Sequence, residues 1–259
     1  MSDVPSRDFT AALAVLFEKG IRYKTVIDVG CADGHFFLQC LDFFPDATAV
    51  NIDANPLYEP SLKAIRDVVD GHFLIAAVSD QEGEVEMTTS VHPYWSSLRP
   101  QDDPYWQRIN QLHESKIKVP AATLDGLTQK LKLAPPFLLK LDIQGAEVQA
   151  LRGARKMLAE TSVVVCEADL DDFEPINRIL VESGFGLFDL ASLSFSQDNS
   201  LGWFYPVYLN RRHDGIRRRS FWDQAHNPQV VKAQADRRAA ILKQSAAVLD
   251  RLRDLRKRS

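Results

Sequence analysis

From Thr25 onward, short runs of β-branched and aliphatic residues alternate with segments whose apolar residues recur at helical spacing, and this rhythm restricts the chain to very few architectures. Strand patterns at residues 25–29, 48–52 and 72–78 are separated by helical patterns at 35–44 and 57–69, which stop at Pro45 and Gly71. A nearly all-apolar strand at 137–143 is followed by a helix at 146–160, a strand at 163–167 and a helix at 174–183. Such alternation predicts a doubly wound α/β sheet of mostly parallel strands, joined by right-handed crossovers. Residues 185–190 and 203–209 read as a closing antiparallel pair, and 84–89 as an additional strand.

With 259 residues, 45% of them apolar, the chain can build one substantial core. The expected organisation is an N-terminal helix in residues 1–22, a catalytic body at 23–210 and a C-terminal helical extension at 211–259. The extension carries 14 Lys/Arg against 5 Asp/Glu, which leaves the body with 17 against 30, so the overall charge of -4 hides two electrostatically different parts. The basic helix is expected to dock on its own body, on a second copy or on another partner; an acidic body argues against a nucleic-acid substrate. Three cysteines without CxxC spacing predict neither disulfides nor a zinc site, and the absence of a leader or a long apolar run predicts a cytoplasmic protein without a transmembrane segment.

The loop after the first strand, Asp28-Val29-Gly30-Cys31-Ala32-Asp33-Gly34, has the glycines of a ligand-binding turn but not the GxGxxG of a dinucleotide site. Its acids would repel a pyrophosphate, whereas S-adenosylmethionine carries an ammonium and a sulfonium that they attract. Asp53, ending the second strand, stands about 20 residues further on, where a carboxylate accepts hydrogen bonds from ribose hydroxyls; a helix cap is the competing role. The expected cofactor contacts are Asp28, Gly30, Cys31, Ala32, Asp33, Gly34, Phe36, Asp53, Ala54, Asn55, Ala77, Val78, Ser79 and Asp142.

The segment Leu138 to Ala154, LLKLDIQGAEVQALRGA, resembles the hallmark of the FkbM-type methyltransferases: a strand ending in Asp, then Gly and Glu, then a helix closed by Leu-Arg-Gly-Ala. The glycine loop, Ile52 to Pro56, residues 77 to 85, Ser96-Ser97-Leu98, Thr123-Leu124-Asp125 and Val165-Cys166-Glu167 agree in order and spacing. The resemblance spans about residues 24 to 210, and departs at Gln144, where the family often has Glu, and in the basic C-terminal helix. It implies a class I, Rossmann-like methyltransferase fold with a seven-stranded sheet, and O-methylation of a hydroxyl on a sugar or glycan, or alternatively on a polyketide or other natural product.

Methyl transfer to a hydroxyl needs in-line alignment and a base or metal to manage the proton. Asp142, Glu147 and Glu167 are the expected catalytic acids; if a divalent metal such as Mg takes part, Asp142 and Glu167 are its expected oxygen ligands. Glu147 equally suits the first turn of its helix, and His92 and His113 are alternative bases. Residues 90–117 form a long aromatic loop, an expected lid whose Tyr94, Trp95, Ser97 and Trp106 would meet the acceptor. Asn55-Pro56-Leu57-Tyr58 superficially resembles an amino-methyltransferase motif but follows the wrong strand. A non-catalytic protein that keeps the fold for assembly is the remaining alternative.

Overall fold

The computed structural model describes residues 8–216 except 42, 45, 100–112 and 197, together with residues 232 and 236. The chain divides into two compact units, Met1–Asp214 and Gly215–Ser259. The first holds α1 (Phe9–Glu18), β1 (Thr25–Val29), α2 (His35–Cys40), β2 (Thr48–Asp53), α3 (Glu59–Arg66), β3 (Gly71–Ile75), β4 (Ala77–Val78), β5 (Gly83–Ser90) and β6 (His113–Ala122). It continues with α4 (Leu124–Lys130), β7 (Phe137–Leu141), α5 (Glu147–Arg152), α6 (Arg155–Glu160), β8 (Thr161–Cys166), β9 (Ala168–Asp169), α7 (Leu170–Glu182), β10 (Phe185–Ala191) and β11 (Trp203–Asn210).

The main sheet runs β10-β11-β8-β7-β1-β2-β3, with the short β9 also paired to β11. β3, β2, β1, β7 and β8 are mutually parallel, and β11 lies antiparallel between β8 and β10. The expected doubly wound, mostly parallel sheet is therefore present. β1 and β7 are buried at every position because helices cover both faces, and Ile27, Val50, Leu139, Val164 and Tyr208 join one continuous core. Chain order reverses between β1 and β7, which opens a crevice at the carboxyl ends of those strands.

Two expected elements are divided. The strand expected at 72–78 stops at Ile75; Ala77 and Val78 turn away to pair with β6 in a small second sheet, β4-β6-β5. The turn is pinned by the Ala76 N–H, which donates to the Asp53 carbonyl at 2.9 Å. The helix expected at 146–160 breaks at Gly153, where a Cβ would lie 2.2 Å from the Ser79 carbonyl oxygen, so only glycine lets the small sheet approach this closely. Residues 113–117, expected within the loop, belong to β6 and pair with β5. All three cysteines are buried and free, and among the described residues no helix is long and apolar enough to cross a membrane.

Candidate functional site

A cleft of about 1060 Å³ sits where the strand order reverses, lined from the ends of β1, β2, β7 and β8 and from the segments that follow them. Gly30 shapes its floor: φ is +70°, and a Cβ there would lie 1.7 Å from the Asp142 carbonyl oxygen, so the β1 and β7 loops can touch only through a residue without a side chain. Asp53 is gripped by two backbone amides, the Ala32 N–H donating to Oδ2 and the Asn55 N–H to Oδ1, each at 2.8 Å. One lone pair on each oxygen remains for a ligand. Burial nevertheless raises the Asp53 pKa from its usual range. Nearby, the buried Tyr58 hydroxyl has no hydrogen-bond partner among the described residues, although the residue lines the same cleft.

Of the expected cofactor contacts, Gly30, Cys31, Ala32, Asp33, Phe36, Asp53, Ala54, Asn55, Ala77, Val78 and Asp142 line the cleft. Asp28, Gly34 and Ser79 stand outside its lining. Asp28 is fully buried beneath it as the register partner of Lys140, Gly34 is covered by Ile65, and Ser79 faces Gly153.

Lys140 is one site residue that sequence reasoning passed over. Its Nζ donates to the Gly30 carbonyl at 2.8 Å and lies 3.2 Å from Asp28 Oδ1 and 3.4 Å from Asp142 Oδ2. Burial opposes its charge, but the Asp142 and Asp28 carboxylates outweigh that cost and raise its pKa. The signal was present in FLLKL: a lysine inside an otherwise apolar central strand requires a buried carboxylate.

Two of the catalytic candidates, Asp142 and Glu167, share one hydrogen-bond network. Gln144, in a left-handed backbone conformation, donates its amide to Asp142 Oδ1 at 3.1 Å and to Glu167 Oε2 at 2.7 Å. The Tyr205 hydroxyl donates to Asp142 Oδ2 at 2.9 Å. Burial works against the Asp142 charge, yet Lys140, Tyr205, Glu167 and Gln144 together hold its pKa below the usual range. Glu167 moves the other way: burial and the neighbouring Asp142 and Glu147 charges raise it well above, so it keeps the proton of the pair. The carboxylate of Glu147 turns back on its own loop, accepting from the Ile143 and Gly145 amides at 2.8 and 2.9 Å, and burial pushes its pKa up to about 7.

Ser97 spends its hydroxyl on the Gln144 carbonyl at 2.6 Å, and Arg99 lies over Gly145 with its guanidinium on Asp172. Tyr94 and Trp95 line the cleft, Trp95 stacked on His92 at 4.2 Å between ring centroids; His92 itself is outside the lining. Trp106 lies outside the described residues, as do the His113 side chain and nearly all of the basic C-terminal helix. Among the described residues no group of three or more His, Cys, Asp or Glu side chains could hold a metal ion, and Asp142 and Glu167 do not by themselves make such a site.

The family model described as "Methyltransferase FkbM domain" matches residues 28–187. No curated protein matches the sequence significantly. Among solved structures, the precorrin-6y C5,15-methyltransferase of Geobacter metallireducens GS-15 is 11% identical with a TM-score of 0.41, covering 76% of this chain and 85% of that one. The magnesium protoporphyrin IX methyltransferase of Synechocystis PCC 6803, solved with S-adenosylmethionine bound, is 9% identical with a TM-score of 0.43, covering 78% and 77%. The N-methyltransferase NodS of Bradyrhizobium japonicum WM9, in complex with S-adenosyl-L-homocysteine, is 10% identical with a TM-score of 0.41, covering 78% and 85%.

Proposed function

The chain belongs to the FkbM methyltransferase family, and from that premise we propose that it transfers a methyl group from S-adenosylmethionine to a hydroxyl of a sugar or glycan. The observation that carries this reading is the joining, in one cleft, of Asp53 with its two spare lone pairs and the Asp142–Gln144–Glu167 network.

The residues present suit the cofactor. Asp53 would hold its ribose, Ala54, Ala77 and Val78 its apolar surround, and Gly30 to Ala32 its amino-acid end; the Tyr58 hydroxyl, without a partner among the described residues, would gain one. When bound, it supplies an electrophilic methyl on sulfur. The cleft volume leaves room for an acceptor beside it. Asp142, kept ionised, is the group that takes the acceptor's proton, while Gln144 and Tyr205 fix its orientation. Tyr94 and Trp95 offer flat apolar faces for a sugar ring.

Isothermal titration with S-adenosylhomocysteine tests the cofactor half. Asp53→Ala should weaken binding at least tenfold, about 1.4 kcal/mol, through lost charge-assisted hydrogen bonds. No binding by the wild-type protein at millimolar ligand would sink the reading. Radiolabelled methyl transfer to neutral glycans and to polyketide alcohols decides the acceptor class.

A further inference from the structure

The cleft floor holds the carboxylates of Asp53 and Asp142, which suits a ligand with positive charge on sulfur. An ammonium buried in the same floor does the opposite. Lys140 is 5% exposed, lines the cleft and sits between Asp28 and Asp142. Neutralising Asp28 alone does not account for it: an apolar pair at these two facing strand positions would complete the FLLKL strand without burying any charge. Its Nζ also reaches the Gly30 carbonyl and Asp142, so its charge bears on both the cofactor loop and the proposed base.

We propose that Lys140 is the specificity-determining residue for charge on sulfur: it limits how strongly the cleft prefers S-adenosylmethionine, a sulfonium, over S-adenosylhomocysteine, whose sulfur is neutral. This rests on the cofactor assigned above. The two ligands differ by one methyl and one charge, so they share every steric demand except that methyl. An ammonium beside Asp142 cancels part of the field that would stabilise the sulfonium, and inside a protein such cancellation is less screened than in water. An interaction that favours neutral sulfur grows in the direction of methyl transfer, which is how differential binding lowers a barrier.

Titration of the wild-type protein, K140M and the double variant D28N/K140M with each ligand tests the proposal. The double variant removes the charge that K140M would leave unpaired under the strand, guarding against a folding defect. Removing the ammonium should raise the ratio of S-adenosylmethionine to S-adenosylhomocysteine affinity at least about fivefold. A ratio within about twofold of wild type, or equal loss of both ligands in both variants, assigns Lys140 a structural role and overturns the proposal. Wild-type protein that binds neither ligand overturns the cofactor assignment instead, and shows it before any variant is made.

Discussion

Asp142 is drawn in opposite directions by its surroundings, since burial penalises its charge while four polar neighbours favour it. A carboxylate so well supported stays ionised, the form a base requires, and is poorly replaced by an amide. Asp142→Asn should therefore cut turnover by at least about a hundredfold while shifting the urea midpoint little; wild-type turnover would exclude it as the base. Glu147 offers a pH signature. Its folded pKa of about 7 lies above the ordinary 4.5, so the folded state holds the proton more tightly. The stability it contributes is complete below the ordinary value and fades as pH rises to about 7. Wild-type stability relative to Glu147→Gln should fall between pH 4.5 and about pH 7, as read by denaturant midpoints. A constant difference would mean that Glu147 titrates normally.

The floor of the cleft depends on contacts between elements. Gly30 is where the β1 loop meets the β7 loop, and no other residue fits there without moving Asp142. Gly30→Ala should cost about 1–3 kcal/mol in stability and weaken cofactor binding along with it; unchanged binding would show that the loops can separate harmlessly. Much of this site is legible in the sequence, because Asp53, Asp142 and Glu167 each close an apolar run, and strand ends converge in a doubly wound sheet. The supporting groups are less so. Tyr205 joins Asp142 across 63 residues of sequence, and nothing in its own neighbourhood marks it. Arg99 and Asp172 meet only because the segment after β5 folds over Gly145. The breaks at Ala76 and Gly153 escaped notice because both are imposed by the small sheet pressing on the large one, a tertiary effect without local periodicity.

At the scale of the molecule, the centre of the main sheet should be its most persistent part. β1, β7 and β8 are buried at every position and share the core. Their amides should exchange with deuterium at the slowest rates in the chain, those of β5 and β6 in the small sheet markedly faster; the reverse order would place the stable nucleus in the wrong sheet. The rhythm of strands and helices made this architecture readable, the closing antiparallel pair of β10 and β11 included, whereas the insertion of β11 between β8 and β10 leaves no local signal in the pattern. The small sheet has another consequence. Residues 91–112 form the connection between two antiparallel neighbours, β5 and β6, so their length is free of the crossover geometry that governs the parallel strands. Lengthening a connection between antiparallel neighbours costs little, each doubling adding about 0.6 kcal/mol. The chain thus carries a stretch whose length can drift between descendants while β1, β2 and β7, whose ends build the cleft, stay as they are.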